Sequence, residues 1–290
     1  MTRAFKCALS LCVFLASSVR DFLRGLFGEK RRHSCVVLYY HSVPGSRRER
    51  FAKQLDMLAR HAQPISLDDK LTLQAGVRYA AVTFDDGFEN FVDVALPELT
   101  KRRIPATVFV IADAVGKAFG PEGHPEPVMS LEQIRDLPAD LVTIGSHTLT
   151  HPFLPSLSEQ DSRSEITQSR AKIEQMLNSK VLLFSFPFGG FNEELAVLCR
   201  EAGYRHAFTT LPGFAFESPD QFVVGRVRVD PDDWPLEFRL KLAGAYRWLP
   251  SAFRLKRRIV AMLGGRSSIG KKIATGQRAG ESVIHETIVN

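Results

Sequence analysis

Cysteine is scarce in this 290-residue chain: four residues, at positions 7, 12, 35 and 199, with no Cys-x-x-Cys pair. That excludes a disulfide scaffold and a cysteine-built zinc module, and it does not discriminate a redox compartment. Cys199 lies in a helical apolar pattern, which makes it a packed thiol rather than a ligand or nucleophile. There is no internal repeat. The apolar run at residues 8–16 is too short to span a bilayer. Acid is missing altogether from residues 253–278, where eight Lys and Arg occur.

That last absence reshapes the meaning of the formal net charge of +6. Residues 1–33 carry +5, residues 253–278 carry +8, and the rest of the chain is therefore −7. An acidic body argues against a nucleic-acid partner, whose enzymes spread basic residues around a groove. Basic ends suit peripheral contact with an anionic membrane surface. Within residues 1–33, Ala16-Ser17-Ser18 has the look of a signal cleavage site. Phe22, Leu23, Leu26 and Phe27 interleave with Arg24, Lys30 and Arg31, which is the pattern of an amphipathic helix lying on a membrane, the reading preferred here.

From residue 34 the pattern changes. Residues 35–40, 79–84, 106–111, 141–144, 181–186, 206–210 and 223–229 are short apolar runs, continuous rather than alternating, as in strands of a parallel sheet buried on both faces. Helical periodicity falls between them, at 48–61, 90–102, 131–137, 158–178 (Ser158 as N-cap) and 192–202. Residues 112–128 read as a Gly/Pro-rich loop. The chain divides into a basic amphipathic or signal-like segment at 1–33, an α/β body at 34–250, and a basic C-terminal extension with a mobile tail at 251–290.

Polar clusters recur just after strands: Tyr40-His41, Asp85-Asp86, Ser146-His147 and residues 230–234. In parallel barrels that edge collects active sites. His147 and His151, four apart, can share one metal, and Gly145 before and Pro152 after place them in a turn. Two unrelated surface histidines are the alternative. Asp85-Asp86 ends a buried strand at Gly87, where the backbone can turn both carboxylates to one site; a solvated turn is the plainer reading. Two histidines and a carboxylate would leave metal positions open for water and substrate.

Thr83-Phe84-Asp85-Asp86-Gly87 and Ser146-His147-Thr148-Leu149-Thr150-His151 resemble the first two motifs of the NodB-like polysaccharide deacetylases, carbohydrate esterase family 4. Ile104-Pro105-Ala106-Thr107-Val108-Phe109 and Phe186-Pro187-Phe188-Gly189 resemble further stretches of that family, and Leu38-Tyr39-Tyr40-His41-Ser42 its exopolysaccharide-deacetylase branch. The resemblance runs from about residue 36 to residue 248 and implies a distorted (β/α)7 barrel with a largely parallel sheet. It also implies hydrolysis of N-acetyl groups on an N-acetylated poly- or oligosaccharide of the bacterial envelope or matrix, and a place at the cell envelope, on a membrane face left open. It makes Asp85 the base, Asp86, His147 and His151 ligands of a divalent metal (zinc by preference), and the Pro187-Phe188-Gly189 turn and Trp234 part of the sugar site, with backbone N–H groups near Phe188 assisting.

The chain departs from the family in two places. Its late histidine, His285, sits in the tail, so His41 becomes the expected acid. Ser185 and Phe186 stand where many members carry an arginine that orients the base. Asp233, in the Asp-x-x-Asp-Trp-like stretch 230–234, thereby loses its usual partner, for which Arg226 or Arg228 is the expected substitute. An amidase of small non-carbohydrate amides and a catalytically degenerate carbohydrate-binding barrel are the competing readings.

Overall fold

The computed structural model describes residues 1–28, 33–67 and 73–262. Seven strands form the frame: β1 (Ser34–Tyr40), β2 (Arg78–Phe84), β3 (Ala106–Val110), β4 (Val142–Ser146), β5 (Leu183–Ser185), β6 (His206–Thr209) and β7 (Val223–Arg228). Every neighbouring pair is parallel. The ring closes because β1 pairs with both β2 (Val37 opposite Ala81) and β7 (Val37 opposite Arg226). A two-residue strand, Gln63–Pro64, adds to the start of β2 outside the ring.

The helices are α1 (Arg3–Leu26), α2 (Arg48–His61), α3 (Leu96–Arg102), α4 (Leu131–Arg135), α5 (Glu159–Leu177), α6 (Glu193–Glu201), α7 (Pro235–Leu242) and α8 (Leu249–Met262). Helices α2 to α6 fill the five connections from β1 to β6; the connection from β6 to β7 has none. That gap, with the three-residue β5, distorts the (β/α)7 barrel. Ser158 caps α5 by accepting from the Asp161 N–H, as expected, and Asn192 caps α6 through Leu195 N–H. The helix expected at 90–102 opens with a π-helical turn, Phe91–Ala95. The loop expected at 112–128 contains a small antiparallel hairpin, Ala118–Phe119 against Glu126–Pro127.

Strand side chains alternate between two buried faces, which explains the unbroken apolar runs. Val36, Leu38 and Tyr40 of β1, with Ala80, Val82 and Phe84 of β2, face the helices. Cys35, Val37, Tyr79, Ala81, Phe109 and Phe208 fill the lumen. Gly145 on β4 leaves room for the Phe109 ring, which a Cβ there would strike.

Helix α1 is docked on the barrel: Cys7, Leu11 and Phe14 pack with Leu240, Ala245, Tyr246 and Leu249. Trp248 Nε1 donates to Ser10 Oγ (2.9 Å), and Arg3 Nε to Glu237 Oε2 (2.6 Å). Among the described residues no helix is long and apolar enough to cross a membrane. The basic extension from residue 251 begins as part of α8; residues 263–290, with the expected tail and His285, lie outside the described residues.

Candidate active site

At the end of β2 the ladder runs one residue further, with Asp85 N–H donating to Tyr40 O (2.9 Å). Alternation keeps Asp85 on the lumen side with Ala81 and Thr83. The next residue would face outward, but Asp86 adopts φ 70° and Gly87 φ 76°. This left-handed pair turns the second carboxylate inward too.

The histidine turn is built similarly. His147 N–H donates to Val110 O (2.8 Å), then Thr148 (φ 67°) and His151 (φ 66°) reverse the chain. His151 N–H donates to Thr148 Oγ1 (2.9 Å). Glu165 of α5 clamps the turn from outside: its Oε2 accepts from Leu149 and Thr150 N–H (2.9 Å each) and its Oε1 from Thr150 Oγ1 (2.6 Å). Asp86, Thr148, His151 and Phe188 are four non-glycine residues with left-handed backbone around one site, an arrangement that costs strain and concentrates where function requires it.

The turns bring together the three expected ligands. Donor atoms of Asp86, His147 and His151 lie within 4.8 Å of one another. Both Nε2 atoms are 3.6 Å from Asp86 Oδ1. That is too long for hydrogen bonds. It is near the separation of about 3.3 Å between two ligands at about 2.0 Å from a tetrahedral ion. His147 Nδ1 lies 2.8 Å from Ser185 O, which gives Nδ1 the proton and leaves Nε2 a lone pair. Burial, chiefly, pushes both imidazoles below their ordinary range, so both are neutral, the form that ligates. Asp86 Oδ1 is buried with no hydrogen-bond partner. Burial, then the Asp85 and Glu126 charges, drives the Asp86 carboxyl well above its usual range. A buried anion beside two lone pairs fits a divalent cation.

Asp85 has a different environment. Arg226 of β7, wholly buried, grips it with two bonds: Nη1 to Oδ1 (2.7 Å) and Nη2 to Oδ2 (2.8 Å). The same guanidinium donates to Ser185 Oγ (2.8 Å) and Thr83 Oγ1 (3.1 Å), and lies over the rings of Tyr39 and Phe109 at 4.7 and 5.2 Å. Burial alone would raise the Asp85 carboxyl; the Arg226 charge and hydrogen bonds overcome it and hold it at about 2. Arg226 therefore does not partner Asp233, as the sequence suggested. Residues 224 and 226 face inward on β7, which aims the guanidinium at the lumen. Asp233 pairs instead with Lys241 Nζ (2.7 Å).

His41, just past β1, lies edge-on to Tyr39 with ring centroids 5.6 Å apart. Burial, with the Arg228 and Arg226 charges, pushes it down to about 4 against the pull of Asp85. It is neutral at rest. Ser42, its neighbour, donates to Glu126 Oε2 (2.9 Å), and Asn90 Nδ2 donates to the same oxygen (3.0 Å), tying the small hairpin to this edge. The Phe188 ring lies 4.8 Å from the His151 ring, and Phe119 of the hairpin 5.2 Å from it. Pro187 and Gly189 are buried beneath Phe188; a Cβ on Gly189 would strike Thr210. Trp234 is half exposed at the start of α7, with the Arg3 guanidinium 4.6 Å from its ring centroid.

Sequence reasoning missed Arg226 as the partner of Asp85, and it missed Glu165 and Ser185. For Arg226 a signal existed: an arginine in the inward register of an apolar strand needs a buried counter-charge. Glu165 sits on a polar helix face and gave none.

The sequence profile of the family described as "Polysaccharide deacetylase" matches residues 73–207. Protein YxkH of Bacillus subtilis (strain 168), itself assigned only provisionally to polysaccharide deacetylation, is 33% identical over 150 residues, covering 52% of this chain and 51% of YxkH; the chain spans about half the length of that relative. The structure of IcaB from Ammonifex degensii superposes with a TM-score of 0.64 at 30% identity, over 73% of this chain and 98% of that one. BC0361, a polysaccharide deacetylase from Bacillus cereus, shares the fold: TM-score 0.58 at 22% identity, over 72% of this chain and 69% of that one.

Proposed function

The chain belongs to the polysaccharide deacetylase family, and from that premise we propose that it is a metal-dependent hydrolase removing N-acetyl groups from amino sugars of a bacterial envelope or matrix glycan. The observation that carries this reading is the pairing of an unpartnered buried carboxylate, flanked by two neutral histidines, with a second carboxylate held ionised by Arg226. The two aspartates have opposite environments and so take different work.

Asp86, His147 and His151 would hold the cation, and two nitrogens with one carboxylate oxygen suit zinc. When bound, the ion supplies Lewis-acid polarisation of the acetamide carbonyl and a lowered pKa for water. Asp85, ionised and oriented by Arg226, takes the proton of the attacking water. His41 is neutral at rest, so the proton it delivers to the departing nitrogen is the one Asp85 removed from water in the same turnover. Water thus adds across the amide, the C–N bond breaks, and acetate and a primary amine leave. The Pro187-Phe188-Gly189 turn walls the site beside His151 and, through the Phe188 N–H, assists the developing oxyanion. Trp234 offers an exposed ring to a neighbouring sugar.

The test is acetate release from chitooligosaccharides, peptidoglycan fragments and poly-N-acetylglucosamine, with metals restored after chelation. Asp85→Asn should lower release by ~10³-fold or more at unchanged metal content, and His41→Asn by ~10²-fold or more, with a much smaller loss on an aryl acetate whose leaving group needs no proton. Undiminished release by Asp85→Asn sinks the assignment; metal binding without turnover on any substrate would mark a binding barrel instead.

A further inference from the structure

Exposed large apolar side chains are concentrated in one region. Among the described residues, only Val197 and Leu211 lie away from α1 with its end residues, the start of α7 and residue 255 of α8. Single exposed apolar residues are ordinary; a contiguous set marks an interaction surface.

At 3.6 residues per turn, Phe5, Leu15, Val19, Phe22 and Leu26 fall within an arc of roughly 100° on α1. All five are about half exposed or more. Cys7, Ser10 and Phe14 lie on a different side and carry the contact with the barrel. The helix therefore has two apolar faces, one used and one open, along about 36 Å. At the same spacing Arg20 falls about 60° beyond one edge of the stripe, on the flank that leads round to the barrel, and Arg24 lies further along that flank. Arg20 and Arg247 also line a cavity of about 370 Å³ beside the C-terminal half of α1, with Glu217 as its acid. Nearby, α8 carries Arg254 and, in sequence, three further cations at 256–258.

We propose that the outward face of α1 docks on an anionic phospholipid leaflet, with Phe5, Leu15, Val19, Phe22 and Leu26 inserted and Arg20, on the flank, at the headgroups. The choice of occupant follows from charge. A cationic flank beside an apolar stripe, with the cations of the C-terminal extension, complements anionic lipid, whereas the rest of this chain, at −7, offers no reason for a bilayer to approach elsewhere. Docking sets an orientation. Arg3 bonds to Asp232 O just beyond β7, and Arg20 sits by the loop whose Ala215 N–H reaches Cys35 O at the start of β1. Helix α1 thus runs from the active-site end of the barrel to the opposite end. Laid in the membrane surface, it leaves the barrel on its side, with its mouth opening along the membrane.

The test is flotation of the full chain with phosphatidylcholine vesicles, with and without roughly a quarter phosphatidylglycerol. The chain should float with the anionic vesicles and be released by salt. Phe22→Glu with Leu26→Glu should cut partitioning at least ~10-fold at unchanged melting temperature, as should Arg20→Glu with Arg24→Glu. Val197→Glu, on α6, should change nothing. Failure to float with either vesicle, equal flotation by the Phe22/Leu26 variant, or loss of a dimer in light scattering without vesicle binding would each overturn the proposal, the last in favour of a second copy.

Discussion

Arg226 is completely buried, and among the described residues the carboxylate bonded to it is Asp85. Lysine would keep a charge but lose the two-pronged grip. Arg226→Lys should therefore lower kcat/KM at neutral pH by about 10- to 100-fold through misplacement of the base. It should also shift the pH profile in a definite direction. With the guanidinium gone, the Asp85 carboxyl rises from about 2, and since the base must be ionised, the acidic limb of kcat/KM moves to higher pH. A limb at the same pH with reduced rate would mean that Arg226 only supports packing. Asp86 carries the opposite expectation. Its buried, unpartnered oxygen destabilises the metal-free protein, so Asp86→Asn should raise the stability of the chelated enzyme by about 1–3 kcal/mol while abolishing metal binding. Thermal melts and metal titration check both halves. The four chemistry-bearing residues Asp85, Asp86, His147 and His151 were readable because each pair falls within one short turn that follows a strand. Arg226 was misassigned because its partner lies 141 positions away and no local pattern records which carboxylate a lumen arginine meets.

At the scale of elements, α5 does more than cover the sheet. Through Glu165 it satisfies two N–H groups and a hydroxyl of the turn that carries both histidines. Glu165→Ala should leave the fold intact and weaken metal affinity about 10- to 100-fold, the usual consequence of removing a group that orients ligands. Equilibrium dialysis with zinc reads the effect, and unchanged affinity would refute it. The strands were legible because burial on both faces makes them unbroken apolar runs. The N-cap Ser158 was also visible in the sequence. The hairpin at 118–127 was not, since strands of two residues carry no period, and the π-helical opening before α3 differs from an α-helix by one residue per bond. The N-terminal helix was recognised as amphipathic. Its two apolar faces were not separable, because only the packed structure shows which one meets α7.

For the molecule as a whole, burial depresses His41, His61, His147, His151 and His206 alike. The unfolded chain, with histidines near 6.5, takes up these protons first, so their contribution to stability is lost as the pH falls below 6.5. For His41 the loss continues to about 4. Asp86, raised, works the other way but is a single group. The chelated protein should therefore unfold at lower urea concentration at pH 5 than at pH 7.5, by up to about 1.4 kcal/mol per pH unit for each net proton. An unchanged or higher midpoint at pH 5 would contradict this account, and bound metal should steepen the trend, because protons compete for its ligands. The closed barrel was inferred from alternating elements and a resemblance; what alternation does not reveal is which strand completes the ring. That strand is β7, whose Arg226 lies opposite Val37 of β1. A chain emerging from the ribosome through residue 222 already contains Asp85, Asp86, His147 and His151, yet nothing to orient its base. Contacts so distant in sequence form late and slowly. Catalytic competence should therefore appear only with ring closure, making activity itself a readout of the final folding step.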